Sequence, residues 1–157
     1  MKCAKGCTDK TMPVENKPFT INYPLYFAIP GTGNSTSNWG LGGVAFIDPQ
    51  ENGKARTFCR IWKITTAQYT EVRCQEGRTW YDHEIPLGID CGYPIMTITN
   101  HSVIRNIISP SDAYLKTIAL GLRETYDFSD DEIAEYLLDK TGIKGSLLKD
   151  DMLKTIA

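Results

Sequence analysis

Glu76 is the carboxylate in this chain best placed to do chemistry. It closes a run, residues 65–76, that reads as a short helix. A carboxylate at that end meets the negative pole of the helix dipole. Partial burial beside Val72, Trp80 and Tyr81 would disfavour its charge further. Both effects raise a pKa, the direction a general acid or base needs near neutral pH. The competing reading is a surface glutamate at a helix end, and on physics alone that reading is the commoner one. Other constellations fail sooner. Cys3-x3-Cys7 lacks a second pair at zinc-ribbon spacing, and the chain has two histidines, His83 and His101. Asp82-His83-Glu84 are adjacent, so in a strand they point to alternate faces. No Gly-x-Ser-x-Gly occurs. The glycine-rich loop 31–43 matches no phosphate signature. Gly42-Gly43 before a strand nevertheless allows a close backbone approach to a small ligand, and Trp39 would wall such a pocket or fill the core.

These groups have to be positioned by an α+β chain in which strands come first and helices last. Residues 1–18, with Pro13 and Pro18, read as an irregular leader. Phe19–Ile29 is rich in β-branched and aromatic residues and reads as strand interrupted at Pro24. Val44–Asp48 is a short strand, and Asn52-Gly53 in the following turn predicts a hairpin with Ala55–Ile64, in which Phe58 faces away from Arg56 and Arg60. Thr65-x-x-Gln68 is a capping box, with Gly77 at the C′ position. Two strands follow within 79–99, around Gly92-Tyr93-Pro94. Ser109-Pro110, with Asp112 at N3, predicts a helix start. Apolar positions at 114, 115, 118, 119 and 122 continue it. Ser129-x-x-Glu132 caps another helix with Ile133, Tyr136 and Leu137 on one face, stopping near Gly142. A weak helix closes the chain within 143–157.

The chain has 157 residues, 41% of them hydrophobic. That length predicts a single domain. Seventeen basic against nineteen acidic residues give net −2, and no run of like charge stands out, so a nucleic-acid or anionic-membrane surface is not expected. No apolar stretch is long enough to span a membrane. Five cysteines at irregular spacing read as reduced thiols, hence a cytoplasmic location.

Four landmarks in order carry a resemblance to a known family: Trp39-Gly40-Leu41-Gly42-Gly43-Val44-Ala45-Phe46-Ile47, then Arg60-Ile61-Trp62-Lys63-Ile64, then Gln75-Glu76-Gly77, then Ser109-Pro110-Ser111-x-x-Tyr114. Together they resemble the γ-glutamylcyclotransferase-like family. The resemblance implies a small, mostly antiparallel β-barrel with flanking helices and no metal or cofactor. It also implies an intramolecular reaction. The free α-amine of a γ-glutamyl group attacks its own γ-carbonyl, giving 5-oxoproline and releasing an amine. By resemblance Glu76 moves the proton and Tyr114 helps hold the glutamyl end; Gly42, Gly43 and Trp39 are the residues expected to line the pocket.

The family's N-terminal strand and Tyr-Gly-Ser-Asn loop, whose amides grip the substrate, have no counterpart here. Several accounts are open. The chain is shortened at its N-terminus, its partner strand comes from another chain, or the activity is lost. Alternatively Gly31–Asn38, including Gly31 and Asn34, takes over the oxyanion role. An unpaired sheet edge would favour a homodimer. Beside the enzyme stand two further readings, a γ-glutamyl-binding module without turnover and an interaction protein sharing only the fold. Histone deacetylase chemistry would need an Asp/His zinc site, which the sequence does not offer.

Overall fold

A computed structural model describes residues 6–31, 37–76 and 79–157; Asn34 and Gly77 lie outside them. Seven consecutive positions, Glu15–Ile21, form β1, so the N-terminal leader ends sooner than expected and Pro18 is accommodated within a strand. Then come β2 (Leu25–Ala28), β3 (Val44–Ile47), β4 (Thr57–Lys63), α1 (Thr66–Gln75), β5 (His83–Asp90), β6 (Tyr93–Thr99), α2 (Asp112–Tyr126), α3 (Asp130–Leu138) and α4 (Lys149–Ile156). The class is α+β with a helical C-terminal part. Among the described residues the strands form three two-stranded antiparallel sheets, β1–β4, β2–β3 and β5–β6, and no closed barrel.

The Asn-Gly turn does not close a hairpin between β3 and β4. Val44 instead pairs with Ala28 and Ile47 with Leu25, while Thr57 pairs with Ile21 and Lys63 with Glu15. Burial explains the choice. β2 is apolar on both faces, with Phe27 turned into the helices and Tyr26 and Ala28 packed with Val44 and Phe46. A strand buried on both faces is best satisfied by a short, equally apolar neighbour, and β4 carries Arg60 and Lys63. Just before β4 the Arg56 guanidinium lies over the Phe58 ring at 5.5 Å. Residues two apart share a face, which reverses the orientation expected for Phe58.

Phe27 is fully buried at the centre of the helical layer. Around it lie Leu115, Ala119 and Leu122 of α2, Ile133, Ala134 and Leu137 of α3, Ile143, and Met152 and Ile156 of α4. The i, i+4, i+7 spacing on α2 and the i, i+4 spacings on α3 and α4 give each helix one apolar stripe. Ser129 caps α3 through the expected capping box. On α2 the cap is Ser111, whose side chain accepts the Tyr114 N–H; Pro110 lies before the helix, so the start falls later than Ser109-Pro110 suggested.

Helix α1 is built differently. Its capping box, Thr65 with Gln68, forms as expected, but Gln68 is its one buried residue. Polar ties hold it instead. Thr8 N–H donates to Glu71 at 2.8 Å, Gly6 N–H to Gln75 at 3.2 Å and Gln68 to Thr11 O at 3.0 Å, while Arg73 pairs with Glu84 at 2.7 Å. The 6–11 segment therefore lies along α1. Cys74 on that helix is disulfide-bonded, which overturns the reading of uniformly reduced thiols; Cys7, Cys59 and Cys91 are free.

Candidate active site

The backbone of Ala45 in β3 is gripped by two phenols. Its N–H donates to Tyr114 Oη at 3.3 Å and its carbonyl accepts from Tyr81 Oη at 2.9 Å. Tyr114 is brought there by the first turn of α2, whose cap Ser111 also donates its hydroxyl to Trp39 O at 3.0 Å. That second bond fastens the Ser37–Gly40 turn to the helix start. The indole of Trp39 thereby packs on Tyr114 with ring centroids 5.1 Å apart. Tyr81 stacks on Phe46 at 4.7 Å, and Phe46 on Tyr26 at 5.8 Å.

Glu76 caps α1, its N–H bonded to Val72 O at 3.1 Å. The side chain is exposed, which corrects the expected partial burial. Trp80 and Tyr81 pack against the β2–β3 core rather than over the carboxylate. Even so, Glu76 is not remote from the phenols. Burial pushes both Tyr81 and Tyr114 up, and the Glu76 charge pushes each of them further in the same direction. A phenol with a raised pKa keeps its proton as a donor through the neutral range. Tyr114, which accepts from Ala45, has that proton to offer.

Of the residues singled out in the sequence, the structure brings together Tyr114 and Trp39, and the charge of Glu76 acts on Tyr114. Gly42 and Gly43 serve a different purpose from the one expected. A Cβ on Gly43 would lie 2.3 Å from Ile108 O and 2.9 Å from Ala28 N, and one on Gly42 (φ +122°) 2.8 Å from Ser111 N. Their missing side chains make room for the backbone of 108–111, which Gly43 N–H also bonds through Ser109 O at 2.9 Å. That space is filled by the protein and not left open to a ligand. Gly31 is exposed, takes a 3.5 Å bond from Asn106, and borders a separate depression with Ser102 and Arg105.

Tyr81 and the Ala45 backbone carry no signal in the sequence that marks them as part of a site. Tyr81 does fill the core, yet its hydroxyl end reaches Ala45 and feels Glu76. Nothing in the spacing of Trp80-Tyr81 distinguishes a ring that ends at a site from one that ends in the interior. The Asp82-His83-Glu84 triplet diverges. Asp82 pairs with His101, Glu84 takes Arg73 and Tyr69, and His83 is exposed. Among the described residues no three His, Cys, Asp or Glu side chains converge as a metal-ligand set.

No family model matches the chain, and no solved structure matches it. Among curated proteins it is similar to "Histone deacetylase 5" of Arabidopsis thaliana, with 28% identity over 88% of this chain. The match covers 26% of that protein, so the chain corresponds to about a quarter of the relative's length.

Proposed function

We propose that the chain is a γ-glutamylcyclotransferase-like protein that cyclises a γ-glutamyl amide or peptide to 5-oxoproline, with Glu76 as general acid/base. The observation that carries this reading is the Tyr114 hydroxyl at Ala45, 3.3 Å from its N–H, on a phenol that the charge of Glu76, a landmark far away in sequence, also pushes up. In the reaction the substrate's α-amine attacks its own γ-carbonyl, forming the ring C–N bond. Glu76 accepts the proton lost by that amine and returns it to the departing nitrogen as the amide C–N bond breaks. The Tyr114 hydroxyl donates to the glutamyl end, and Trp39 closes the adjacent wall. The amine and carbonyl belong to one molecule, so little translational entropy is lost in reaching the transition state. Positioning and one proton shuttle therefore carry much of the catalysis, and no cofactor is required. The fold reading that accompanies it treats the three two-stranded sheets and their helices as an open form of the small flanked β-barrel; the cytoplasmic location expected with it rests on the free Cys7, Cys59 and Cys91, against which the Cys74 disulfide weighs. The deacetylase named for the partial relative is not carried over, since the chain spans only a quarter of that protein.

A second reading, binding of a γ-glutamyl ligand without turnover, draws on the exposure of Glu76. An acid/base open to water works without the dry surroundings that strengthen catalytic charges. The two are separated by incubating the chain with a panel of γ-glutamyl dipeptides, glutathione and a γ-glutamyl amine. Release of 5-oxoproline supports the enzyme, with Tyr114→Phe raising KM more than it lowers kcat. A bound ligand recovered intact supports the binding module.

A further inference from the structure

A cavity of about 510 Å³ lies between the β1–β4 sheet and the β5–β6 hairpin, bordered by Thr65, Thr66 and Tyr69 at the start of α1. Glu76 is at the opposite end of that helix, roughly 15 Å away at 1.5 Å per residue. The proposed cyclotransferase site does not account for it. Its volume falls in the range of small-molecule pockets, roughly 300–1,000 Å³.

The strand register orders its wall by depth. Alternate residues share a strand face, so Ile21, Phe19, Lys17 and Glu15 follow one another along one side of β1. Across the sheet they meet Thr57, Cys59, Ile61 and Lys63. Ile21 is buried with Ile47 and Ile85 behind the lining, and Phe19, Cys59 and Leu87, which line the cavity, pack against that cluster. The other end is charged, and its ammonium groups are engaged. Lys17 pairs with Asp90 at 2.6 Å, the Lys63 ammonium lies 3.8 Å over the Tyr93 ring, and Glu15 is the register partner of Lys63. The Cys59 thiol donates to Thr57 O at 3.7 Å. The buried side-chain polar atom without a partner among the described residues is Thr125 Oγ1, which does not line this cavity.

We infer that this cavity binds an uncharged, predominantly apolar small molecule, its body between Phe19, Ile61, Leu87 and Ile95 and its end at the Lys17–Asp90 rim. The wall supplies mostly apolar contact, and both of its lysine ammonium groups are engaged. An anionic ligand would lose its hydration without gaining a free ammonium group. The inference stands independently of the cyclotransferase reading.

The test titrates the full chain with N-phenyl-1-naphthylamine, an uncharged fluorophore, while exciting tryptophan. Saturable binding of one molecule per chain is expected, with energy transfer chiefly from Trp62, which lines the cavity and is 47% exposed. Trp62→Phe therefore loses most of the transfer, and its exposed position keeps the fold intact. Ile61→Lys, checked for folding by circular dichroism, raises Kd about tenfold or more, equivalent to about 1.4 kcal/mol. Displacement by 1-decanol occurs at concentrations at least about tenfold lower than by decanoate. Absent saturable binding, transfer indifferent to Trp62→Phe, or stronger displacement by decanoate each overturns the inference. So does a dimer by sedimentation that excludes the probe, because the cavity then belongs to a second copy.

Discussion

At the residue scale, the useful distinction is between side chains that reach the Ala45 region and those that only fill space. Tyr114 shows why the sequence left both readings open: it packs against two apolar clusters and still presents a hydroxyl to Ala45. A helical apolar stripe announces the packing and says nothing about the hydroxyl. Glu76 was legible through its position at the end of a capped helix, whereas its exposure depends on where Trp80 and Tyr81 turn, which no local pattern records. The free thiols give a test of the described surroundings. Burial pushes the half-buried Cys59 thiol up to about 11, while Cys91 sits exposed in the β5–β6 turn. The thiolate is the reactive form. Iodoacetamide at pH 7.5 is expected to label Cys91 at least about tenfold faster than Cys59, read by peptide mass spectrometry. Equal rates would mean that Cys59 is not packed as described.

At the element scale, capping signals proved the most legible part of the chain. Thr65 with Gln68 and Ser129 with Glu132 form their boxes, because a capping box is a local arrangement written in four residues. Strand partners were not legible. Asn52-Gly53 favours a turn, but pairing is set by burial, and the doubly buried β2 takes β3 from the expected hairpin. The glycines before β3 follow the same rule, since their neighbours come from 108–111. Gly43→Ala is therefore expected to destabilise by about 1–3 kcal/mol, as overpacking does, given a Cβ 2.3 Å from Ile108 O. Gly121 within α2 has nothing within 4 Å of its would-be Cβ. Gly121→Ala should stabilise by about 0.5–1 kcal/mol through helix propensity. Urea denaturation of both variants checks the pair, and an unaltered midpoint for Gly43→Ala would contradict the close packing of 42–43 on 108–111.

For the whole molecule, α+β class was readable from the order of strand-like and helix-like segments, and the separation into three sheets was not, because it depends on contacts between distant segments. Much of what ties α1 to its surroundings is polar, which makes the attachment sensitive to acid. Bonds from Thr8 hold Glu71 below the usual carboxylate range, the Arg73 guanidinium does so for Glu84, and the His101 amide does so for Asp82. A folded pKa below the unfolded one contributes stability above the unfolded value, about 4, and that stability is lost as pH falls through the folded value. The thermal midpoint is thus expected to hold between pH 7 and 5 and to fall below pH 4. Glu71→Gln should flatten that fall; a profile identical to the parent's would remove the Thr8–Glu71 tie from the account. No helix among the described residues is long and apolar enough to cross a membrane. The central claim rests on Glu76. Its most direct test measures 5-oxoproline released from γ-glutamyl substrates by the parent chain beside Glu76→Gln. The account expects release by the parent and a loss of about 10²–10⁴-fold in the variant, the usual scale of general acid–base catalysis. Release that the substitution leaves unchanged would contradict Glu76 as the proton shuttle, and no release from either protein would contradict the cyclotransferase itself.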